Sequence, residues 1–117
     1  MDYERLALKD QAIQLRIVTF GKCLCDLCRS ELGGEYHEWC RRAYTVGDDT
    51  ARRLSFNPCI CSLLCRKCHE KEAITQEGLR RLMAFNVALY GAQEVYDALH
   101  AIPERLWMNR IPDVIVK

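Results

Sequence analysis

Cys25-Asp-Leu-Cys28, Glu35-Tyr-His37-Glu38-Trp39 and Leu63-Leu-Cys65-Arg-Lys-Cys68-His69 lie along one stretch of the chain, and their spacing decides how it is read. The two Cys-x-x-Cys knuckles are separated by 36 residues. Two thiolates three positions apart can face one ion, and two such pairs close a tetrahedral zinc site. A lone Cys-x-x-Cys would equally suit a thiol redox pair. The repeat, with a histidine directly after the second knuckle, points instead to structural zinc held by Cys25, Cys28, Cys65 and Cys68.

Outward from that stretch, 117 residues suit one domain, expected over 1–117. It divides into an N-terminal helix or strand over 1–21, a zinc-stapled core over 22–74 and a helical extension over 75–117. Half the residues are hydrophobic, and eight are cysteines. The charged start, Met1-Asp-Tyr-Glu-Arg-Leu, leads into no apolar run of signal-peptide or membrane-span length. The expectation is therefore a cytoplasmic protein with reduced thiols and no membrane partner. Net charge is only +1, but residues 41–81 carry nine Lys/Arg against five Asp/Glu. The doublets Arg41-Arg42, Arg52-Arg53, Arg66-Lys67 and Arg80-Arg81 concentrate that excess beside the cysteine-histidine stretch, where a phosphate backbone could use it.

Apolar spacing predicts a helix over 3–14, with 15–20 readable as helix or strand before Gly21. Tyr36–Trp39 reads as a short strand, Thr50–Leu54 as a helical turn and Cys59–Leu64 as a second strand after Asn57-Pro58. The knuckle at Cys65 runs into a helix. Thr75 caps another over about 76–90, Gly91 interrupts it, and a further helix covers 92–101. Glu104–Asn109 forms a turn, and the apolar tail from Ile111 docks on the core or meets a partner. Cys23, Cys40, Cys59 and Cys61 read as small buried apolar residues, with a second zinc site as the sharper alternative. Trp39 and Trp107 read as packing residues.

The order of Cys-x-x-Cys, aromatic-His-Glu-aromatic, Asn-Pro and Leu-Leu-Cys-x-x-Cys-His resembles the zinc-stapled branch of the HNH endonucleases, common in phages and mobile elements. The resemblance covers residues 25–72. It implies an α+β fold, a treble-clef-like ββα-metal module flanked by N- and C-terminal helices, in a bacterial or phage-infected cell. It also implies DNA as partner and, besides zinc, a catalytic divalent cation such as Mg, Mn, Ni or Zn. Carried over by position, His37 and His69 hold that cation and Glu38 acts as general base or as a third ligand. Arg41, Arg42, Arg52, Arg53 and Lys67 are expected to contact phosphates.

Two positions depart from the family. Glu38 stands where the base is normally histidine, and Ile60 stands where an asparagine normally fixes the loop, with Asn57 three residues early. The expected function is a metal-dependent DNA endonuclease. The alternatives are a nucleic-acid-binding zinc module that has lost catalysis, or a protein-interaction module acting through its C-terminal helices. Oligomeric state and DNA specificity are left open.

Overall fold

A computed structural model describes residues 2–112. At its centre are two short antiparallel strands, β1 (Glu35–Glu38) and β2 (Cys61–Leu64), paired Glu35 to Leu64 and His37 to Ser62. Helix α3 (Arg66–Lys71) follows β2 directly and packs on both strands. With a period of two, Glu35 and His37 share one face of β1, and Tyr36 and Glu38 share the other. The first knuckle is folded onto the same sheet. Asp26 donates its backbone N–H to the Leu63 carbonyl at 2.8 Å. The backbones run so close here that a Cβ on Gly33 would lie 2.9 Å from that same oxygen.

Helix α1 spans Tyr3–Phe20, capped by the Asp2 side chain and ended by Gly21 at φ 85°, whose N–H returns to the Ile17 carbonyl. The segment 15–20, ambiguous in sequence, is thus helical to its end. Its outer face leaves Tyr3, Val18 and Phe20 exposed, while only Ala12 and Arg16 are buried. Its apolar contact is small, chiefly Ala12 and Ile13 against Tyr36, Cys61 and Leu63. Polar anchors add to it, as shown below.

Between the strands, a 3-10 turn (Arg42–Thr45) and helix α2 (Asp49–Leu54) occupy the loop. A second 3-10 turn, Pro58–Ile60, takes the start of the expected second strand, which begins at Cys61. Asn57 causes this, since its side chain accepts the Cys59 N–H and Pro58 sits at the first helical position. Helices α4 (Gln76–Tyr90, capped by Thr75) and α5 (Ala92–His100) follow where the sequence placed them. They are broken at Gly91, which adopts φ 102°. A last 3-10 turn covers Glu104–Leu106.

The main core joins the knuckles to this helical half. Trp39, Ile60 and Leu64 from the sheet region pack with Leu82, Met83, Leu99, Ile102 and Trp107. Burying each large side chain is worth about 1.5–3 kcal/mol, so the C-terminal helices are part of the scaffold. Both tryptophans are buried, as expected, and Ile111 docks on the core. The rest of the apolar tail, 113–117, lies outside the described residues. The architecture is a small α+β fold with a radius of gyration of 13.2 Å, that of a compact chain of this length, about 13 Å. Among the described residues no helix is long and apolar enough to cross a membrane.

Candidate metal centre and histidine pair

The four expected cysteines meet. The sulfurs of Cys25, Cys28, Cys65 and Cys68 all lie within 4.8 Å of one another, the one group of three or more such side chains among the described residues that could share an ion. Cys28 and Cys65 Sγ are 3.9 Å apart. Ligand sulfurs of a tetrahedral zinc site with Zn–S near 2.3 Å stand about 3.8 Å apart, so the donor set and its dimensions fit zinc.

Local folding explains the convergence. The first knuckle is a tight loop, with Cys25 N–H on the Glu31 carbonyl, Arg29 N–H on the Cys25 carbonyl and a bridge between Leu24 and Leu32. It turns at Arg29, which takes a left-handed φ of 58°. Cys65 caps α3 and Cys68 sits in its first turn, where the helix N-terminus favours negative sulfur. Backbone N–H groups of Ser30 and Glu31 aim at the Cys28 sulfur and bring its pKa down to about 6. Burial pushes Cys25 and Cys68 up. Binding zinc would require all four to give up their protons.

The remaining cysteines form no second site among the described residues. Cys40 and Cys61 are buried, and burial raises both thiols, Cys40 to about 11. Cys61 donates to the Ser55 carbonyl and Cys23 to the Gly33 carbonyl. They behave as small core residues.

Across the sheet, His37 from β1 and His69 from α3 also meet, with ring centroids 5.0 Å apart and edge to face. Their third neighbour is one the sequence did not suggest. Glu35 Oε1 lies 2.8 Å from His69 Nδ1, and Arg66 pairs with the other carboxylate oxygen at 3.3 Å. With a carboxylate on Nδ1, the His69 proton belongs there and Nε2 keeps its lone pair. The hydrogen bond from His69 holds the Glu35 carboxyl below its usual range. His37 is 8% exposed. Burial, then His69 and Arg41, lower it to about 4, so it is a neutral imidazole at physiological pH. Strand alternation was the available signal for Glu35, since it puts residues 35 and 37 on one face.

The same alternation corrects the expectation for Glu38, which points to the opposite face from His37. There Arg5 Nε donates to it at 2.8 Å and Arg52 NH1 binds its other oxygen. Its side chain is 9% exposed. A carboxylate held by two guanidiniums on the other face of the strand is a structural ion pair. Glu38→Gln should cost about 1–2 kcal/mol, as for partly buried pairs, measured by urea unfolding. A loss below about 0.3 kcal/mol would show the pairs to be surface decoration.

Five arginines and lysines were expected to contact phosphate, and they divide. Arg52 is bound to Glu38 and Arg53 to Glu4 at 3.1 Å, so neither is a free cation. Arg41, Arg42 and Lys67 are exposed and have no carboxylate partner among the described residues. Ile60, where the resemblance expects an asparagine, is fully buried core. The loop is held instead by Asn86 of α4, whose Nδ2 reaches the carbonyls of Pro58, Cys59 and Cys61 at 3.4, 3.0 and 2.8 Å. No sequence signal marks this, because Asn86 reads as one more residue on a helical face. Compared with known proteins, the chain matches no family model, no curated protein and no solved structure.

Proposed function

We propose that the chain is a zinc-stapled ββα endonuclease acting on DNA, with His37 and His69 holding a divalent cation. The observation that carries this is the Glu35–His69 contact at 2.8 Å beside a buried neutral His37. Metal-ligating histidines ordinarily donate their second ring N–H to a carboxylate, which fixes the tautomer and the ring. Glu35 does this for His69. A dication at the pair would neutralise charge on a phosphodiester and acidify its bound water. The two imidazoles leave most of its coordination open to water and phosphate. Arg41, which has no carboxylate partner among the described residues and lies near His37, serves as a phosphate contact, and Cys25, Cys28, Cys65 and Cys68 hold the structural zinc.

Plasmid nicking assayed with Mg²⁺, Mn²⁺, Ni²⁺ and Zn²⁺ tests the reading. His37→Ala and His69→Ala should each lower the rate at least about 100-fold with one zinc still bound, and Glu35→Gln should weaken activating-metal affinity about 10- to 100-fold. Cleavage unaffected by His69→Ala would overturn it.

A second reading, a nucleic-acid-binding module without catalysis, is favoured by Glu38 and Ile60. The base position is neutralised by Arg5 and Arg52, and the asparagine position is core. Salt-dependent DNA binding with no cleavage under any metal would select it.

A further inference from the structure

We propose that the cleft between the end of β1 and the first turn of α4 is a phosphoryl pocket that takes a phosphate monoester at the end of a nucleic-acid strand. The cleft has a volume of about 230 Å³. Its polar wall is made by His37, Arg41, Thr75, Gln76, Asn109 and Arg110, over a floor that includes Trp39, Ala73 and Leu79. Among the described residues no carboxylate lines it.

Three observations point to an anionic occupant. First, Arg41 and Arg110 have no ion pair among the described residues. Arg110 is nevertheless held in place: its guanidinium lies 4.5 Å over the Tyr44 ring, and Gln76 Nε2 donates to its carbonyl at 2.9 Å. Second, His37 is more than nine-tenths buried, lines the cleft and makes no hydrogen bond to any described residue. Its ring nitrogens are not sealed from solvent, so an occupant of the cleft can bond to them. Third, the first turn of α4, a 15-residue helix, borders the cleft. Its Thr75 side chain satisfies Gly78 N–H, leaving the first N–H groups of the helix to an anion.

Charge and size choose the ligand. Two unpaired guanidiniums match a phosphate monoester, which carries nearly two negative charges, better than a diester with one. A cleft of 230 Å³ admits the end of a strand but not a duplex. The pocket meets the histidine pair at His37, so hydrolysis of a diester there would deliver a monoester to its mouth. In this respect the inference rests on the nuclease reading.

Fluorescence anisotropy of short single strands, with zinc-loaded protein and no other divalent cation, tests the pocket separately from cleavage. Strands with a 5′-phosphate, a 3′-phosphate or two hydroxyl ends should differ, one phosphorylated end binding about tenfold tighter or more. Arg41→Gln with Arg110→Gln should bring that ratio to about one, whereas Arg53→Gln, on a different surface, should leave it unchanged. Equal affinity of all three strands for the parent, or a ratio that survives the double substitution, overturns the proposal. Inorganic phosphate competing while no phosphorylated end is preferred overturns the strand-end ligand and names free phosphate as the source. A parent that prefers a phosphorylated end yet never cuts upholds the pocket and overturns the nuclease. One that cuts without preference overturns the pocket alone.

Discussion

Cys65→Ser is expected to leave the zinc module without a stable fold. Four sulfurs within 4.8 Å draw together two segments far apart in the chain, the loop after α1 and the start of α3. Beside them the link rests on a few contacts, chiefly Asp26 on both backbone groups of Leu63. The sheet has four residues per strand, and α3 has six. Structural zinc contributes on the order of 10 kcal/mol or more of apparent binding energy, comparable to the entire stability of a typical domain, about 5–15 kcal/mol. Losing one thiolate removes most of that and leaves three thiols whose partners no longer share a cation. Stripping zinc from the parent with a strong chelator should have the same effect, reversed by adding zinc back. Zinc content and far-UV circular dichroism check both. A Cys65→Ser protein that melts cooperatively within a few degrees of the parent, or a parent carrying less than half an equivalent of zinc, would remove the metal from the account.

Why the cysteine cluster could be read from sequence while the partners of Glu38 could not is a matter of range. A knuckle is a local object. Its spacing fixes both sulfurs through a few backbone bonds, such as Cys25 N–H to Glu31 O at 2.7 Å. The helix boundaries are local too, written in Thr75, Gly21 and Gly91. Glu38 is different, because its role depends on which long side chains reach it. Arg5 comes from 33 positions away and Arg52 from 14. Motif alignment ranked Glu38 by its place next to His37. Strand alternation, equally visible in the sequence, already argued that neighbours in a strand face opposite ways. Asn86 shows the converse. An asparagine that holds the loop is present, but it arrives from α4, so no count along the motif could find it. Arg52 and Arg53 looked like phosphate contacts because charge was counted without its pairing to Glu38 and Glu4.

The same long-range logic yields the other large effect, at Arg16 and Asp26. Arg16 Nε and NH2 bind the two Asp26 oxygens at 2.8 Å each, with side-chain exposures of 1% and 0%. Asp26 Oδ2 also accepts the Leu63 N–H at 2.9 Å, and Arg16 NH1 reaches the Ala12 carbonyl and the Tyr90 hydroxyl. One fork thus ties α1 to the first knuckle, to β2 and to α4. Since α1 buries little besides Ala12 and Arg16, this pair is the main reason the helix stays docked. Breaking a buried pair from one side leaves a charge without compensation, which costs about 3–5 kcal/mol. Asp26→Asn should therefore lower the melting temperature by about 10–20 °C in a domain of this size. It should do so while zinc content stays at the parent's level, because Asp26 is not a ligand. The loss should appear first in α1, whose amides should exchange faster than those of α4 and α5 as the helix undocks. Replacing both partners, Arg16→Met with Asp26→Asn, removes the stranded guanidinium and should recover part of the stability lost in Asp26→Asn alone. Asp26→Asn melting within about 2 °C of the parent would mean that α1 is held by Arg5 on Glu38 and Arg53 on Glu4 instead. The double substitution would then behave as the sum of its parts.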